Sequence, residues 1–495
     1  MKLIINGNVK PYYIQMLAML FYPGEKFPEG EEASTESRVA EVTVEEREDG
    51  VFSAVKVTDG GEVGYGEAFL PYGVIKEDRI IKFSAGGAFL EACTRLTGHT
   101  PPWGMLTGVR PARLALELFS EGIRGNDAVK FFTDIYKTEL RKARLAVSTA
   151  ETSEKIVRDN IIDECSVYIG IPFCPSRCAY CSFVSYTSPK LLSMIPDYLD
   201  ALIYDVQHTF ELIKELGIRV ASVYIGGGTP TVLNEEQLER LLSCISEHIV
   251  DVDEFTLEAG RPDTITEEKL RIAKYYGVSR VSVNTQTLND EVLRNIGRAH
   301  TAEDFYKAYA MAEASGIRDI NVDLIAGLPG DTFDSFKDSL DRIVELEPTN
   351  ITVHTFSVKK SAEFKTEGHD VFDRDGGDAA KCVAYSQDKI TSAGYVPYYM
   401  YRQKNTVGNL ENVGYSKTGH EGLYNIYMMD ELHTIFACGA SSVTKIVSRD
   451  GDGKLDIRRM FEPKYPYEFL SKRGNEEYIK AKRNEEAYIR EIYKT

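Results

Sequence analysis

Residues 166–181 read SVYIGIPFCPSRCAYC, an apolar run that leads directly into a loop with three cysteines and two prolines. Residues 221–230, ASVYIGGGTP, repeat the pattern of an apolar run that ends in a turn. Four similar runs follow: EFTLEA from Glu254, RVSVN from Arg280, INVDLI from Ile320 and NITVHTF from Asn350. Between them lie stretches of helical periodicity, at 235–248, 267–276, 303–315 and 334–346. Alternating strands and helices predict a parallel sheet buried on both faces, and six units in series favour a barrel or partial barrel.

The sequence predicts where the first of these helices, at 235–248, begins. Asn234 precedes it, and Gln237 follows three residues later, which is the spacing of a capping box. In a barrel of this kind the active site is assembled by loops at the carboxyl ends of the strands. We therefore expect the chemically useful residues directly after each strand.

The regions on either side of the six units have a different pattern. With 495 residues the chain is too long for one core and should form two or three domains. We predict an α+β module at 1–160, with paired strands at 39–44 and 51–57 and helical spacing over 111–135. The barrel core is placed at 161–385 and a smaller C-terminal domain at 386–495.

Charge and hydropathy restrict the class of protein. Lys and Arg total 58 against 76 Asp and Glu, a net charge of −18, which argues against a general binder of nucleic acid or anionic membranes. The sequence has no apolar run near the ~20 residues that span a bilayer. The first residues also lack the pattern of a signal peptide. A cytoplasmic protein without membrane insertion is expected.

The eight cysteines divide into two groups. Three form the pattern C-x3-C-x2-C at Cys174, Cys178 and Cys181, and the other five stand alone as candidates for buried thiols, namely Cys93, Cys165, Cys244, Cys382 and Cys438. Three thiolates on one loop can hold three corners of a [4Fe–4S] cube and leave one iron open to a small chelating molecule. A structural zinc site would need four N or S ligands, and no second Cys/His pair supplies them.

The remaining strand ends carry glycines and polar residues. Gly226, Gly227 and Gly228 allow close approach of the main chain to a ligand, and the absence of a following GK[ST] argues against a phosphate loop. Glu258 ends the third strand, and Asp323 interrupts the otherwise apolar fifth strand. A buried carboxylate is costly without a polar partner, so both positions are candidate ligand contacts.

IPFCPSRCAYC together with GGGTP resembles the signature of radical S-adenosylmethionine (SAM) enzymes. The resemblance implies a [4Fe–4S] cluster whose open iron binds SAM, and one-electron cleavage that yields a hydrogen-abstracting 5′-deoxyadenosyl radical. Over residues 166–442, including NLENVGYS from Asn409 and GASS from Gly439, the chain is similar to the oxygen-independent coproporphyrinogen III oxidase branch. The long N-terminal extension and the segment YRQKNTVGNLENVGY from Tyr401 resemble the HemZ-type subgroup.

This resemblance implies a role for each matching position. The cluster ligands are Cys174, Cys178 and Cys181, and Tyr168 is a catalytic and SAM-contacting residue. Gly227 and Glu258 belong with Tyr168 around the first SAM. A second SAM would be bound by a further group of positions, Tyr180, Gly228, Thr229, Gln286, Arg298 and Asp323.

The branch implies oxidative decarboxylation of coproporphyrinogen III to protoporphyrinogen IX, with a low-potential donor such as flavodoxin or ferredoxin. Cationic partners for the substrate propionates could be Arg261, Arg402 or Lys404, by position alone. Two departures keep alternatives open: Gly170 stands where the oxidase has a histidine, and Phe183 where it has a further cysteine. The second departure is shared with a heme chaperone group, so a heme-binding protein is one alternative. Another radical SAM modification of a tetrapyrrole, such as methyl transfer or ring opening, is a second.

Overall fold

The computed structural model describes residues 1–28, 37–108, 110–157, 163–181, 186–357, 376–403, 406–449 and 455–493. Phe183 and Lys404 lie outside these ranges. The chain forms two compact units, one of residues 1–151, 368–383 and 400–411, the other of residues 152–367, 384–399 and 412–495. The three-domain division made above stays a prediction.

The N-terminal part of the chain builds a four-stranded sheet in the order β1-β2-β3-β4. Its strands are β1 Lys2–Asn6, β2 Arg38–Arg47, β3 Gly50–Asp59 and β4 Glu62–Pro71, with β1 parallel to β2 and the other pairs antiparallel. The two strands expected at 39–44 and 51–57 are thereby confirmed as a pair. The helices are α1 Pro11–Phe21, α2 Glu77–Thr97, α3 Pro111–Ser120, α4 Gly125–Asp134 and α5 Leu140–Ile156. The helical stretch at 111–135 forms two helices because Gly122, at φ 83°, turns the chain between them.

A larger sheet holds the six predicted strands, now β5 Glu164–Ile171, β6 Arg219–Gly227, β7 Glu254–Leu257, β8 Arg280–Ser282, β9 Asp319–Ala326 and β10 Asn350–Thr355. They lie side by side in chain order and parallel. The remaining strands are β11 Val396–Arg402, β12 Glu411–Ser416, β13 Thr434–Cys438, β14 Val443–Arg449 and β15 Leu455–Phe461. Strand β13 adds in parallel to β5, and β12 adds antiparallel to β10. The α/β class and the partial (β/α)6 barrel are confirmed.

The helices between these strands are α6 Pro189–Leu192, α7 Ile195–Leu216, α8 Glu235–Ser246, α9 Glu267–Tyr275, α10 Asp290–Asn295, α11 Ala302–Ala314, α12 Phe333–Glu345, α13 Gly377–Ser392 and α14 Leu423–Asp430. Helices α15 Pro466–Lys472 and α16 Glu476–Tyr493 follow the last strand. The four predicted helices correspond to α8, α9, α11 and α12. The capping box is confirmed, since Asn234 Oδ1 accepts from the Gln237 N–H at 2.9 Å and Gln237 Oε1 accepts from the Asn234 N–H at 3.1 Å. None of the described helices is long and apolar enough to cross a membrane.

Candidate functional site

The three clustered cysteines lie on one loop, residues 172–181, which we call the cysteine loop. It leaves the end of β5, and the exposed fraction of Cys174 and Cys178 is only 8% each. The Ala179 N–H donates to the Ile296 carbonyl at 3.0 Å, which ties the loop to the end of α10. Among the described residues, no three His, Cys or acidic side chains are grouped closely enough to hold a single metal ion.

The turn at the end of β6, residues 226–230, is called the glycine turn here, and its backbone donates hydrogen bonds to residues at the start of the cysteine loop and just before it. The Gly228 N–H donates to the Ile171 carbonyl at 2.7 Å, and the Thr229 N–H donates to the Phe173 carbonyl at 2.8 Å. The Thr229 hydroxyl lies 3.3 Å from Cys174 Sγ. A Cβ at Gly228 would overlap the Phe173 carbonyl and lie 2.9 Å from its backbone nitrogen. Glycine is therefore required where the two segments touch.

Glu258 follows β7 and directs its carboxylate over the glycine turn, because a Cβ on Gly226 would meet Glu258 Oε2 at 2.6 Å. The pKa of Glu258 is raised to about 7, first by burial and second by the nearby Asp323 carboxylate. Hydrogen bonds from Gly227 and Tyr224 act in the opposite direction on this pKa. The predicted pair Gly227 and Glu258 is thus brought together, in a setting that favours a hydroxyl or cationic partner for the carboxylate.

Asp323 on β9 lies in a polar group that the sequence analysis did not anticipate. Its Oδ1 accepts from Asn321 Nδ2 at 2.7 Å, and its Oδ2 lies 3.6 Å from His354 Nε2. Burial would raise the Asp323 pKa, but the contacts with His354 and the hydrogen bonds of Asn321 and Thr352 together outweigh burial and lower it. His354 could have been found from strand alternation: Asp323 pairs with Thr352, and His354 lies two residues further on the same face of β10.

Two further predicted residues, Tyr180 and Arg298, are in direct contact. The Arg298 guanidinium donates to the Tyr180 hydroxyl from Nη2 at 3.0 Å and to the carbonyls of Gly260 and Asn284 from Nη1 at 3.2 and 2.9 Å. The side chain is buried, with 8% exposed. These bonds fix the guanidinium at the edge of the cysteine loop.

Gln286 also lies beside another predicted residue. Its φ of 73° is in the left-handed region, and its N–H donates to the Asp323 carbonyl at 2.9 Å. A non-glycine residue held in that conformation is strained, and such strain clusters at functional sites.

Tyr168, the predicted catalytic residue, belongs to a group of three tyrosines. Its ring centroid lies 6.1 Å from that of Tyr224 and 6.2 Å from that of Tyr424, and the last two are 4.6 Å apart. Burial raises the pKa of the Tyr168 hydroxyl, and the Glu258 carboxylate adds to the effect. Tyr224 and Tyr424 were not predicted, although Tyr224 lies opposite Tyr168 in the strand register.

Comparisons with known proteins identify the family. The family model described as the radical SAM superfamily matches residues 168–343. The oxygen-independent coproporphyrinogen-III oxidase-like protein HemZ of Bacillus subtilis is 38% identical over 78% of this chain and 77% of its own length. The chain belongs to the radical SAM superfamily.

Other relatives of this radical SAM protein have different names. The heme chaperone HemW of Haemophilus influenzae is 30% identical over 64% of this chain and 78% of its own length. A solved structure of the Escherichia coli coproporphyrinogen III oxidase HemN, described as a radical SAM enzyme, has 21% identity. It covers 66% of this chain and 72% of its own, with a TM-score of 0.49.

The cofactors of the radical SAM superfamily are a [4Fe–4S] cluster and SAM. The residues present fit both. The cysteine loop offers three thiols, the donor type that such clusters need, and leaves one iron without a ligand from that loop. The glycine turn and the Glu258 carboxylate provide bare backbone and an acceptor for a polar molecule beside it.

Two of the candidate propionate-binding residues, Arg261 and Arg402, belong to different compact units. Arg261 donates to Ser176 on the cysteine loop and to Asp263. Arg402 belongs to the first unit, where its Nη1 donates to the carbonyls of Leu106 and Gly108. A propionate contact by either side chain stays a prediction.

Proposed function

We propose that this radical SAM protein converts coproporphyrinogen III to protoporphyrinogen IX without oxygen. The observation that carries the proposal is the meeting of the cysteine loop, the glycine turn and Glu258 at the carboxyl ends of β5, β6 and β7. The tetrapyrrole substrate is supported by similarity to the HemZ protein of Bacillus subtilis along most of both chains.

When bound, the cluster and SAM supply a carbon radical that removes one hydrogen atom from substrate. The hydrogen would come from the β-carbon of a propionate side chain. The bond to the carboxylate then breaks, CO2 leaves, one electron passes to an acceptor, and a vinyl group remains. Two propionates react in turn. A flavodoxin- or ferredoxin-type donor is proposed for the reducing electron.

The protein's own residues would bind and orient the reactants. Cys174, Cys178 and Cys181 are proposed to hold the cluster, and Tyr168, Gly227 and Glu258 to contact the first SAM. A second SAM would contact the remaining predicted positions, which are Tyr180, Gly228, Thr229, Gln286, Arg298 and Asp323. The stacked rings of Tyr168, Tyr224 and Tyr424 form an aromatic group beside Glu258, and the tetrapyrrole is proposed to pack against it.

The test is anaerobic turnover by protein with a reconstituted cluster, given SAM, a strong reductant and coproporphyrinogen III. Product mass should show the loss of two CO2 molecules and four hydrogen atoms, because each propionate that becomes a vinyl group loses one CO2 and two hydrogens. Replacement of Cys174, Cys178 or Cys181 by alanine should abolish both the brown absorbance of the cluster and the product. Unchanged substrate with a fully loaded cluster would contradict the proposal.

A heme-binding chaperone is the second candidate. Several relatives have the name heme chaperone HemW, and Gly170 lacks the side chain expected of the oxidase. Little space is left for a side chain at this position, because a Cβ on Gly170 would lie 3.3 Å from the Ala440 carbonyl oxygen. Stoichiometric heme binding by a protein that does not decarboxylate coproporphyrinogen would favour this function. A product of another mass would indicate a different tetrapyrrole modification.

A further inference from the structure

Arg261 is an almost fully buried cation next to the cysteine loop. It follows β7 at the start of a short turn, Pro262–Thr264, and 3% of its surface is exposed. The guanidinium is held by Asp263, which accepts from Nε at 3.1 Å and from Nη2 at 3.2 Å. This pair orients the third nitrogen, Nη1, toward the cysteine loop.

Nη1 reaches the segment between the first two cysteines. It donates to the Ser176 carbonyl at 3.1 Å and to the Ser176 hydroxyl at 2.9 Å. It also lies 3.9 Å from Cys178 Sγ, within the range of a hydrogen bond to sulfur. Ser176 in turn donates to the Gly297 carbonyl at 3.1 Å. Arg261 thus connects β7 to the loop and places a positive charge beside a proposed cluster ligand.

We propose that Arg261 is a positioning residue that fixes the cysteine loop and raises the reduction potential of the cluster. The inference rests on the proposed function only in placing the cluster at these cysteines. Reduction makes a cluster more negative, and hydrogen bonds to its sulfurs together with nearby positive charge stabilise the reduced form. A guanidinium keeps its charge at every working pH, and burial weakens screening by solvent.

The charges around Arg261 determine in which direction each substitution should move the reduction potential of the cluster. Asp263 opposes the charge of Arg261, whereas Arg298 adds a second buried guanidinium. His300, near both arginines, contributes no charge at neutral pH, because burial and, second, the charge of Arg298 lower its pKa to about 4. Removal of Arg261 and removal of the Asp263 charge should therefore move the potential in opposite directions.

The experiment is a redox titration, followed by electron paramagnetic resonance, of protein with a reconstituted cluster and no tetrapyrrole. Arg261→Gln should shift the midpoint potential to a more negative value, and Asp263→Asn to a more positive one. Arg261→Lys keeps the positive charge but loses the two-pronged hydrogen bonding of the guanidinium. Its midpoint potential should lie between those of Arg261→Gln and wild type. The matched control is Arg271→Gln, which removes an exposed guanidinium paired with Glu268 on α9 and should leave the potential unchanged.

Iron content distinguishes positioning from electrostatics. If Arg261→Gln binds less iron and Arg261→Lys restores it, the positioning role is supported. A fully loaded Arg261→Gln with an unchanged potential would overturn the inference. Shifts in the same direction for Arg261→Gln and Asp263→Asn would also overturn it, because loosening of the loop rather than charge would then set the potential.

The two proposals fail in different ways. Opposite shifts in a protein that does not decarboxylate coproporphyrinogen would contradict the proposed function and leave the role of Arg261 intact. A wild-type protein that takes up no cluster under reconstitution would overturn the cysteine assignment and the role of Arg261 together.

Discussion

At the scale of single residues, Glu258 should make stability depend on pH. Its pKa is raised from 4.5 to about 7, so the unfolded chain loses this proton first as the pH rises. The contribution of Glu258 to the free energy of unfolding should therefore fall between pH 4.5 and 7 and stay low above that. We expect wild type to lose stability relative to Glu258→Gln across this window, measured by urea unfolding without SAM. A constant difference between the two proteins would contradict the raised pKa.

His354 should influence the binding of SAM through its contact with Asp323. Its imidazole and Asn321 hold the carboxylate that is proposed to bind a second SAM. His354→Gln keeps a polar side chain but weakens that pairing, so the affinity for SAM at this site should fall about tenfold, the cost of one hydrogen bond to a charged group. Equilibrium dialysis with labelled SAM measures the affinity of each site. His208→Gln, which changes an exposed histidine paired with Glu486, is the control and should bind SAM like wild type.

At the scale of elements, the contact between the glycine turn and the cysteine loop sets both structures. Gly228→Ala places a methyl group against the Phe173 backbone, one residue before Cys174. We expect the loop to shift and iron content after reconstitution to fall at least several-fold. Gly474→Ala is the matched control, since nothing lies within 4 Å of a Cβ there. Equal iron content in both variants would show that the loop does not depend on the turn.

Elements could be predicted from the sequence where local signals and burial agree. The six parallel strands are apolar runs bounded by turns, and α8 begins at the capping box of Asn234 and Gln237. The role of Arg261 could not be predicted, because it depends on β7 ending beside a loop that lies some 80 residues earlier in the chain. The contact between Tyr180 and Arg298 was accessible through the family resemblance alone, since their separation of 118 residues leaves no periodic signal.

At the scale of the whole molecule, the larger sheet extends beyond the six predicted strands. Strand β13 pairs in parallel with β5, and β14 and β15 continue the sheet antiparallel. The sequence after residue 385 lacks the regular strand and helix alternation that marks the barrel units. Pairing between segments more than 250 residues apart is a tertiary property that local periodicity does not contain.

The opposite end of the parallel strands is joined by a buried ionic group around Arg280, at the start of β8. Its guanidinium donates to Glu254 at the start of β7 and to Asp319 at the start of β9, both at 3.2 Å. It also donates to Asn350 on β10 and, at 2.9 Å, to the carbonyl of His420. Residues from five distant segments are thereby tied together at the end of the sheet away from the cysteine loop.

Replacement of Arg280 should therefore weaken the fold without changing the chemistry of the cluster. Arg280→Met removes the guanidinium paired with the buried Glu254 carboxylate, while Asp319 keeps its contacts with Arg318 and His420. The free energy of unfolding should fall by about 3–5 kcal/mol in urea titrations. The midpoint potential of the cluster should match wild type, because the charge lies at the opposite ends of the strands. Arg271→Met, at an exposed ion pair, should change neither quantity measurably. A shift in potential with Arg280→Met would show that the two ends of the sheet are coupled, and that the potential does not depend on the cysteine loop and its neighbours alone.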